Sequence, residues 1–272
     1  MNRLIGLSGT APLDQVYFRS ARLLESLSDH SAATVYLESD VEWLKPDDFL
    51  GQSLCLCFET RNQNCRYFDG VVVEMAQESI SIGGRCTYRL ELKSWTWLLG
   101  RNRDYRVYQH QCIHDILAEI AGRYSHSSIR FADRTVGPRH VREYMVQFGE
   151  SDADFLLRIL EQEGVYFYFE HAQNQHTLVL VDSATAHAAF PDYESLDHDP
   201  AHAGLRLTPE EKITSLWFAK SITAPRHAHS DYNFKTPASA LLGESSGKAD
   251  PFNSPYEIFE YPGEFSQQGE GQ

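Results

Sequence analysis

The chain has 272 residues, enough for one large domain or two small ones, and 42% of them are hydrophobic. That content supports packed cores and excludes a globally disordered chain. The 24 basic and 38 acidic residues give a formal net charge of −14. Phosphate backbones and anionic lipids repel such an acidic chain, which argues against nucleic acid and membrane surfaces as partners.

The apolar runs of the chain are all short. None approaches the ~20 residues that a membrane-spanning helix needs, so we expect no membrane anchor. The N-terminal stretch MNRLIGLSGTAPLD has one basic residue and lacks the apolar core of a secretory signal. The sequence therefore predicts a protein made and kept in the cytoplasm, unless a route without a signal peptide exports it.

Cysteine usage gives no sign of a metal or redox site. The count is odd, and the spacing matches no zinc template. Strand alternation places the thiols of Cys55 and Cys57 on one face. We therefore expect small core residues in a reduced protein. The five cysteines are Cys55, Cys57, Cys65, Cys86 and Cys112.

The first hundred residues have the pattern of short β-strands joined by turns, which favours a barrel or a sandwich. The clearest strand, residues 88–93, alternates strictly between apolar and charged side chains, as half-buried antiparallel strands do. Gly83 and Gly84 mark a turn that closes a hairpin with residues 71–74. The predicted strands cover residues 16–19, 35–38, 54–59, 67–75 and 85–92.

A short basic island follows in this otherwise acidic chain. It consists of Arg101, Arg103 and Arg106. The island either meets an acidic partner or is a solvated basic turn, and the sequence leaves both interpretations open.

The next segment predicts a short amphipathic helix over residues 113–120, ending near Gly122 or Tyr124. A polar loop, residues 125–140, leads from this helix to a strand at residues 144–148. The apolar residues that recur at helical spacing are Ile113, Ile116, Leu117 and Ile120.

The stretch ESDADFLLRILEQEGVYFYFEH, residues 150–171, predicts a capped helix, a stop and an aromatic strand. Ser151 or Asp152 accepts hydrogen bonds from the first turn, and Asp154 favours the positive end of the helix. Gly164 stands where a left-handed C-cap is required. The apolar face of the helix consists of Phe155, Leu156, Ile159 and Leu160.

Residues 165–169 are too β-branched and aromatic to continue the helix. They predict a strand that turns at residues 173–175 and pairs with residues 177–181. The aromatics Tyr166, Phe167, Tyr168 and Phe169 lie on both faces of that strand. Such a strand packs against two layers, or against one layer and a neighbouring subunit.

The C-terminal third has few strand signals. Residues 182–209 read as a connector, and residues 236–254 are polar and broken by proline and glycine. Strands are predicted at residues 213–222 and 256–261, with a possible strand end at residues 232–235. We expect this region to be too poor in strands to form a closed domain alone.

Ser245 lies in GESSG, which matches the G-x-S-x-G motif of serine hydrolases. That motif needs a sharp turn between a buried strand and a helix. The flanking sequences PASALL and KADPFNSP provide neither, so we expect Ser245 in a flexible loop.

Two pairs among the twelve histidines have a spacing at which both rings could bind one transition-metal ion. Asp199 or Asp231 could provide a further ligand. Both pairs fall in segments that read as irregular and solvated, and no H-E-x-x-H pattern occurs. We therefore expect no metal site. The pairs are His227 with His229, and His198 with His202.

The carboxylates around the 150–171 helix are also weak candidates for acid–base chemistry. A glycosidase needs two carboxyl groups across a cleft, whereas an exposed helix face presents them side by side. Asp152 and Asp154 read as first-turn charges. No glycine-rich phosphate loop occurs. We expect no catalytic residue and no cofactor. The four carboxylates of this segment are Asp152, Asp154, Glu161 and Glu163.

Four segments in order resemble the VgrG family, the spike proteins of bacterial type VI secretion systems. The most specific is QFGESDADFLLRILEQEGVYF, residues 147–167. Three further segments also resemble segments of the family, whereas the first sixty residues match it only in character. The three segments are YRLELKSWTWLLGRNRDYRVYQHQCIHDIL (88–117), HTLVLVDS (176–183) and YEIFEYPGEF (256–265).

The resemblance implies a mainly β fold with α+β elements, with two antiparallel β-barrel-like domains as in the hubs of contractile phage tails. It implies a first barrel at residues 1–100, an α/β middle region at 101–182, and a connector with the start of a second barrel at 183–272. Family members continue into an OB-like domain and a β-helical needle, so we expect the second barrel to be incomplete here.

The implied function is structural rather than enzymatic. The resemblance implies a homotrimer that docks on the hexameric Hcp tube, contacts baseplate components, and helps puncture target cells and deliver effectors. It implies assembly in the cytoplasm and secretion through the type VI apparatus. The alternatives are the hub of a phage or phage-like contractile particle, and a serine hydrolase that uses Ser245.

Overall fold

The computed structural model describes residues 5–60, 64–80, 84–124, 129–191, 193–200, 212–247, 255–263 and 265. The chain divides into two compact units, Met1–Thr214 and Ser215–Gln272. The predicted fold class, mainly β with α+β elements, is confirmed.

The first unit begins with a six-stranded antiparallel sheet in the order β1-β4-β5-β6-β3-β2. All five predicted strands of this region are present, and β1 is an additional strand. The hairpin between β5 and β6 is also confirmed, with Val71 opposite Lys93 and Ile80 opposite Cys86. The strands are β1 (Ile5–Gly9), β2 (Tyr17–Leu24), β3 (Ala32–Ser39), β4 (Ser53–Glu59), β5 (Cys65–Ile80) and β6 (Cys86–Lys93), with a single helical turn α1 (Pro46–Phe49) before β4.

One face of this sheet forms a hydrophobic core because apolar residues alternate along its strands. Tyr88 lies in that core and is 2% exposed. Its hydroxyl donates to the carbonyl of Glu42 at 2.8 Å and accepts from the amide of Leu44 at 3.1 Å, so no polar atom of the ring is left unsatisfied. The side chains around it include Val35, Leu37, Phe49, Leu54, Leu56, Phe68, Leu90 and Leu92.

The cysteine prediction is partly wrong. Cys57 and Cys65 form a disulfide, with their Cα atoms 5.5 Å apart. They flank the turn between β4 and β5, so the pairing of those strands brings them together. Spacing alone did not reveal the register of that hairpin. The remaining three, Cys55, Cys86 and Cys112, are free and buried, as predicted.

The middle region combines three helices with short strands. The predicted amphipathic helix is α3, and it ends at Gly122 as expected. The predicted loop at residues 125–140 was wrong at β8, which pairs in parallel with β11; residues 125–128 lie outside the described residues. Strand β8 has only three residues, too few for an alternation of apolar and polar side chains to be recognised in the sequence. The elements are α2 (Thr96–Leu99), β7 (Arg103–Tyr108), α3 (Ile113–Gly122), β8 (Phe131–Asp133), β9 (Met145–Ser151), α4 (Asp152–Gln162), β10 (Tyr166–Ala172) and β11 (Gln175–Val181).

The helix–glycine–strand motif is confirmed. The Ser151 hydroxyl caps α4 by accepting from the amide of Asp154 at 3.0 Å. Gly164 has φ +66°, the left-handed conformation that favours glycine. In β10, Phe167 and Phe169 are 2% and 7% exposed and pack on α3 and α4.

The other face of β10 is only half-buried. Its Tyr168 hydroxyl accepts from Arg134 at 2.9 Å, and the Tyr166 hydroxyl lies 2.9 Å from Nε2 of His187. Since these partners belong to the same chain, the aromatic strand is largely covered without a neighbouring subunit.

The second unit contains a three-stranded sheet in the order β13-β12-β14. The strand predicted at residues 256–261 is confirmed as β14, but those at 213–222 and 232–235 are wrong. Ile213 forms only an isolated bridge, and β12 ends at Asp231. Residues 213–222 are apolar enough for a strand, yet no described strand lies beside them to pair. The three strands are β12 (Arg226–Asp231), β13 (Leu241–Ser246) and β14 (Glu257–Glu260).

Candidate interaction surface

A buried polar network joins β5 of the first sheet to β10 and β11 of the middle region. The side chains of Asp69 and His176 are both fully buried, with Oδ2 of Asp69 2.7 Å from Nδ1 of His176. The Trp95 amide donates to Nε2 of His176 at 2.8 Å. Because Nε2 accepts that bond, the ring proton lies on Nδ1 and is donated to the carboxylate.

His171 lies beside this pair and accepts a hydrogen bond from the amide of Asp69 at its Nδ1, over 3.1 Å. Its ring stacks on Phe68, with centroids 4.6 Å apart. Burial, and next the neighbouring His176, lower the pKa of His171 to about 3. The network is therefore structural: it fixes one core against the other and offers no group to a substrate.

Asp152 is more than a first-turn charge, because its side chain is completely buried. It accepts hydrogen bonds from the Tyr124 hydroxyl at 2.6 Å, the Gln147 amide at 2.8 Å and the Asn102 amide at 3.3 Å. Burial, followed by this carboxylate, raises the pKa of Tyr124. Asp152 therefore does more than complement the helix dipole, since it ties three separate segments to the start of α4.

The other helix carboxylates behave as expected for structural residues. Asp154 accepts from the Ser151 hydroxyl at 2.7 Å, and Glu163 forms an ion pair with Arg142 at 2.7 Å. Glu161 is exposed. The four carboxylates do not face one another across a cleft, so the arrangement does not fit glycosidase chemistry.

Ser245 lies on strand β13, which corrects the prediction of a flexible loop. It is directly opposite His227 on β12, and Nε2 of His227 is 3.5 Å from Oε2 of Glu260. The described residues show no hydrogen bond between Ser245 and His227. A serine within a regular antiparallel strand also lacks the sharp strand-to-helix turn that exposes a hydrolase nucleophile.

The first histidine pair is likewise ordered rather than irregular. His227 and His229 share one face of β12, with ring centroids 5.7 Å apart. In the second pair, His198 forms an isolated bridge with Ile213, and His202 lies outside the described residues.

The acidic residues proposed to join those histidines are engaged elsewhere. Asp199 pairs with Lys212 at 3.1 Å, and Asp231 accepts from the amides of Tyr232 and Phe265. Within the part of the chain that the structure describes, no group of three or more His, Cys, Asp or Glu side chains is placed to hold a metal ion.

A small pocket of about 100 Å³ lies between the start of α3 and residues 135–140. Its walls include His114, Arg139, Glu163 and Asp182. Ligand pockets are commonly ~300 Å³ or more, so this one is too small for most organic substrates.

The β7–β9 ribbon, formed by those two strands, has one buried and one exposed face. Tyr108 and Met145 point into the core and are 3% and 5% exposed. On the other face, Tyr105 lies opposite Phe148 in an edge-to-face pair with centroids 5.2 Å apart. They are 71% and 78% exposed, and Val107 beside them is 54% exposed. Sequence reasoning missed this surface, although the alternation of Tyr105 and Val107 was a usable signal.

Two arginines of the basic island, Arg103 and Arg106, lie on β7, and Arg101 precedes that strand. Nε of Arg106 forms an ion pair with Asp104 at 2.6 Å, and the Arg101 guanidinium lies over the Trp97 ring, 4.1 Å from its centroid. Arg103 is exposed, and no carboxylate in the described ranges lies within ion-pair distance of it. Ion pairing within the chain therefore neutralises Arg106 of the island but not Arg103, as far as the described residues show.

The second unit also exposes large apolar side chains. Trp217 and Phe218 are 87% and 90% exposed. All four residues of β14 are exposed, including Ile258 at 50% and Phe259 at 58%. Patches of this kind on soluble proteins commonly mark interaction sites.

No helix within the described ranges is long and apolar enough to cross a membrane.

Comparison with known proteins identifies the family. Residues 24–272 match the model of the phage tail baseplate hub (GPD) family. The type VI secretion system spike protein VgrG1b of Pseudomonas aeruginosa is 31% identical over 248 residues, which are 91% of this chain and 33% of that protein. The chain thus spans about a third of the length of this relative.

Solved structures share the fold. An E. coli protein, c3393, described as a type VI secretion component similar to phage T4 tail proteins gp27 and gp5, superposes with a TM-score of 0.60 at 22% identity, over 73% of this chain and 53% of that one. A 43 kDa prophage tail protein from Shewanella oneidensis gives a TM-score of 0.53 at 13% identity, over 98% and 75%. The chain therefore belongs to the phage tail baseplate hub family, within the VgrG group of type VI secretion spike proteins.

Proposed function

We propose that this chain is a structural part of a type VI secretion spike and acts without catalysis. It forms a homotrimeric hub that docks on the hexameric Hcp tube, meets the baseplate, and helps puncture target cells and deliver effectors. The observation that carries the proposal is the match of residues 24–272 to the baseplate hub family. The hub assembles in the cytoplasm and leaves through the secretion apparatus.

We propose the domain organisation from the same family resemblance: a first barrel at residues 1–100, a middle region at 101–182, and a connector with the start of a second barrel at 183–272. Two separate hydrophobic cores support the first boundary. One core lies on the first sheet, around Leu37 and Leu90, and the other lies around Ile116 and Phe155 of α3 and α4.

Docking on the tube predicts a stable complex with purified Hcp hexamers. Light scattering coupled to gel filtration should show this chain eluting with the hexamer at a mass equal to the sum of the two components. The exposed apolar side chains of the chain supply the contact area that such a complex needs. A chain that elutes separately from the hexamer at micromolar concentrations would contradict the proposed hub.

The serine hydrolase is the competing function because Ser245 lies opposite His227, with Glu260 nearby. We expect Ser245→Ala to leave tube binding unchanged and to leave hydrolysis of p-nitrophenyl acetate at the level of the wild-type chain. Ser246→Ala on the same strand is the matched control, since Ser246 is also exposed. An esterase activity that Ser245→Ala abolishes and Ser246→Ala preserves would instead establish an enzyme.

A phage-like particle is the other alternative, supported by the fold shared with a prophage tail protein. Both machines use a hub on a tube, so the two are separated by which tube protein binds. Preference for a phage tail tube over Hcp in the same gel-filtration experiment would favour the particle.

A further inference from the structure

The exposed face of the β7–β9 ribbon is large enough to be an interface. Tyr105 and Phe148 are 71% and 78% exposed, and Val107 beside them is 54% exposed. With ~200 Å² for an aromatic side chain, the two aromatic residues alone leave roughly 300 Å² uncovered. The largest apolar patch on a soluble monomer is typically ~300–600 Å² and often functional.

Arg103 adds positive charge where this face ends. It is two residues from Tyr105, is exposed, and forms no ion pair with any described carboxylate. The ribbon therefore presents aromatic side chains next to an unneutralised guanidinium. Its complement is an apolar surface that carries carboxylates.

Strand β14 presents such an apolar surface with carboxylates. Ile258 and Phe259 are 50% and 58% exposed, and the side chain of Glu260 is 64% exposed. Glu257 is exposed as well, and strand alternation places it on the same face as Phe259. Among the described strands it pairs only with β12, so it lies at the edge of the described sheet. Exposed edge strands of this kind readily contact another chain.

We propose that the β7–β9 ribbon of one copy of this chain docks against β14 of a second copy, with Arg103 facing the carboxylate of Glu257. The inference rests on the self-association proposed above and specifies its contact. Opposite charge and matching apolar exposure on the two surfaces support it.

The contact joins two different surfaces, so it is head-to-tail. Head-to-tail contacts close into rings when the rotation permits and otherwise build open chains. An isologous contact, in which ribbon meets ribbon, would instead bring Arg103 near its own copy, and like charges oppose that arrangement.

Sedimentation velocity over a range of concentrations tests the ribbon side. Arg103→Glu should weaken self-association by about tenfold or more, since it places like charges across the contact. Phe148→Ser should weaken it comparably, and its exposure leaves the fold intact. The matched control is Arg22→Glu on β2, an exposed arginine outside the ribbon, which should associate as the wild type does.

The strand side is tested by Glu257→Lys, with Glu244→Lys as the matched control. Glu244 is also exposed in the same sheet, but it lies on β13. Glu257→Lys alone should weaken association, whereas a mixture of the Arg103→Glu and Glu257→Lys proteins should recover it in part. In a mixed trimer one contact has the wild-type pair of charges, one has the exchanged pair, and the third joins two copies of the same variant.

Each outcome decides between the alternatives. A wild-type chain that stays monomeric at every concentration overturns the proposed contact, whatever the tube experiment gives. An associating chain that is unaffected by Arg103→Glu and Phe148→Ser overturns the ribbon. Loss with Arg103→Glu but not with Glu257→Lys overturns β14 as its occupant. Failure to bind the tube, with the contact intact, counts against the proposed hub function alone.

Discussion

Replacing His176 with alanine is expected to lower the free energy of unfolding by about 3–5 kcal/mol, the cost of leaving a buried carboxylate without its hydrogen-bond donor. The substitution leaves the fully buried carboxylate of Asp69 without its donor at 2.7 Å and the Trp95 amide without its acceptor. It also removes an imidazole from the interior and leaves a cavity. Both losses act at the junction between the first sheet and the middle region.

Urea unfolding followed by far-UV circular dichroism measures this effect. His140→Ala is the matched control, because His140 is exposed and should change stability by less than about 0.5 kcal/mol. Asp69→Asn should cost less than His176→Ala, since an amide oxygen still accepts the proton on Nδ1. A His176→Ala protein as stable as His140→Ala would show that the pair adds nothing to the junction.

The α4 motif is predictable because its determinants are local. The Ser151 cap, the four apolar residues of one helical face and the left-handed Gly164 all lie within a short run of sequence. The N-terminal cap, the helical spacing of the apolar residues and the glycine at the C-terminus therefore all indicate the same helix. Five of the six strands of the first sheet were predicted for a related reason, since each could be recognised from its own residues, whereas β1 was missed.

The polar junctions were not predictable because their partners are distant in sequence. Asp69 and His176 are 107 residues apart, and Asp152 receives hydrogen bonds from Tyr124 and Asn102, which precede it by 28 and 50 residues. A lone buried carboxylate looks like a solvated one until its donors are known.

Pairing with a neighbouring strand also determines whether a short segment forms a strand. Strand β8 has three residues and exists because β11 lies beside it, whereas the apolar residues 213–222 have no described strand beside them. The same rule placed Ser245 on a strand although its flanks read as a loop.

Acid should destabilise the protein through His171. Its pKa is about 3 in the folded state, below the ordinary histidine value of 6.5, because burial disfavours the charged ring. Between these two values the unfolded chain binds a proton that the folded chain does not. The contribution of this residue to the free energy of unfolding is therefore complete above pH 6.5. It falls by about 1.4 kcal/mol per pH unit as the pH is lowered toward 3.

His171→Asn separates this titration from that of the carboxylates. The asparagine oxygen can take the place of Nδ1 and accept the amide proton of Asp69, but it does not titrate. Urea unfolding at intervals from pH 7 to pH 4 should therefore show a shallower loss of stability for this variant than for the wild type. His140→Asn, at an exposed histidine, should keep the wild-type slope. Equal slopes for His171→Asn and the wild type would mean that the folded protein protonates His171 as readily as the unfolded chain does, and the ring would then not be held neutral by its burial against Phe68.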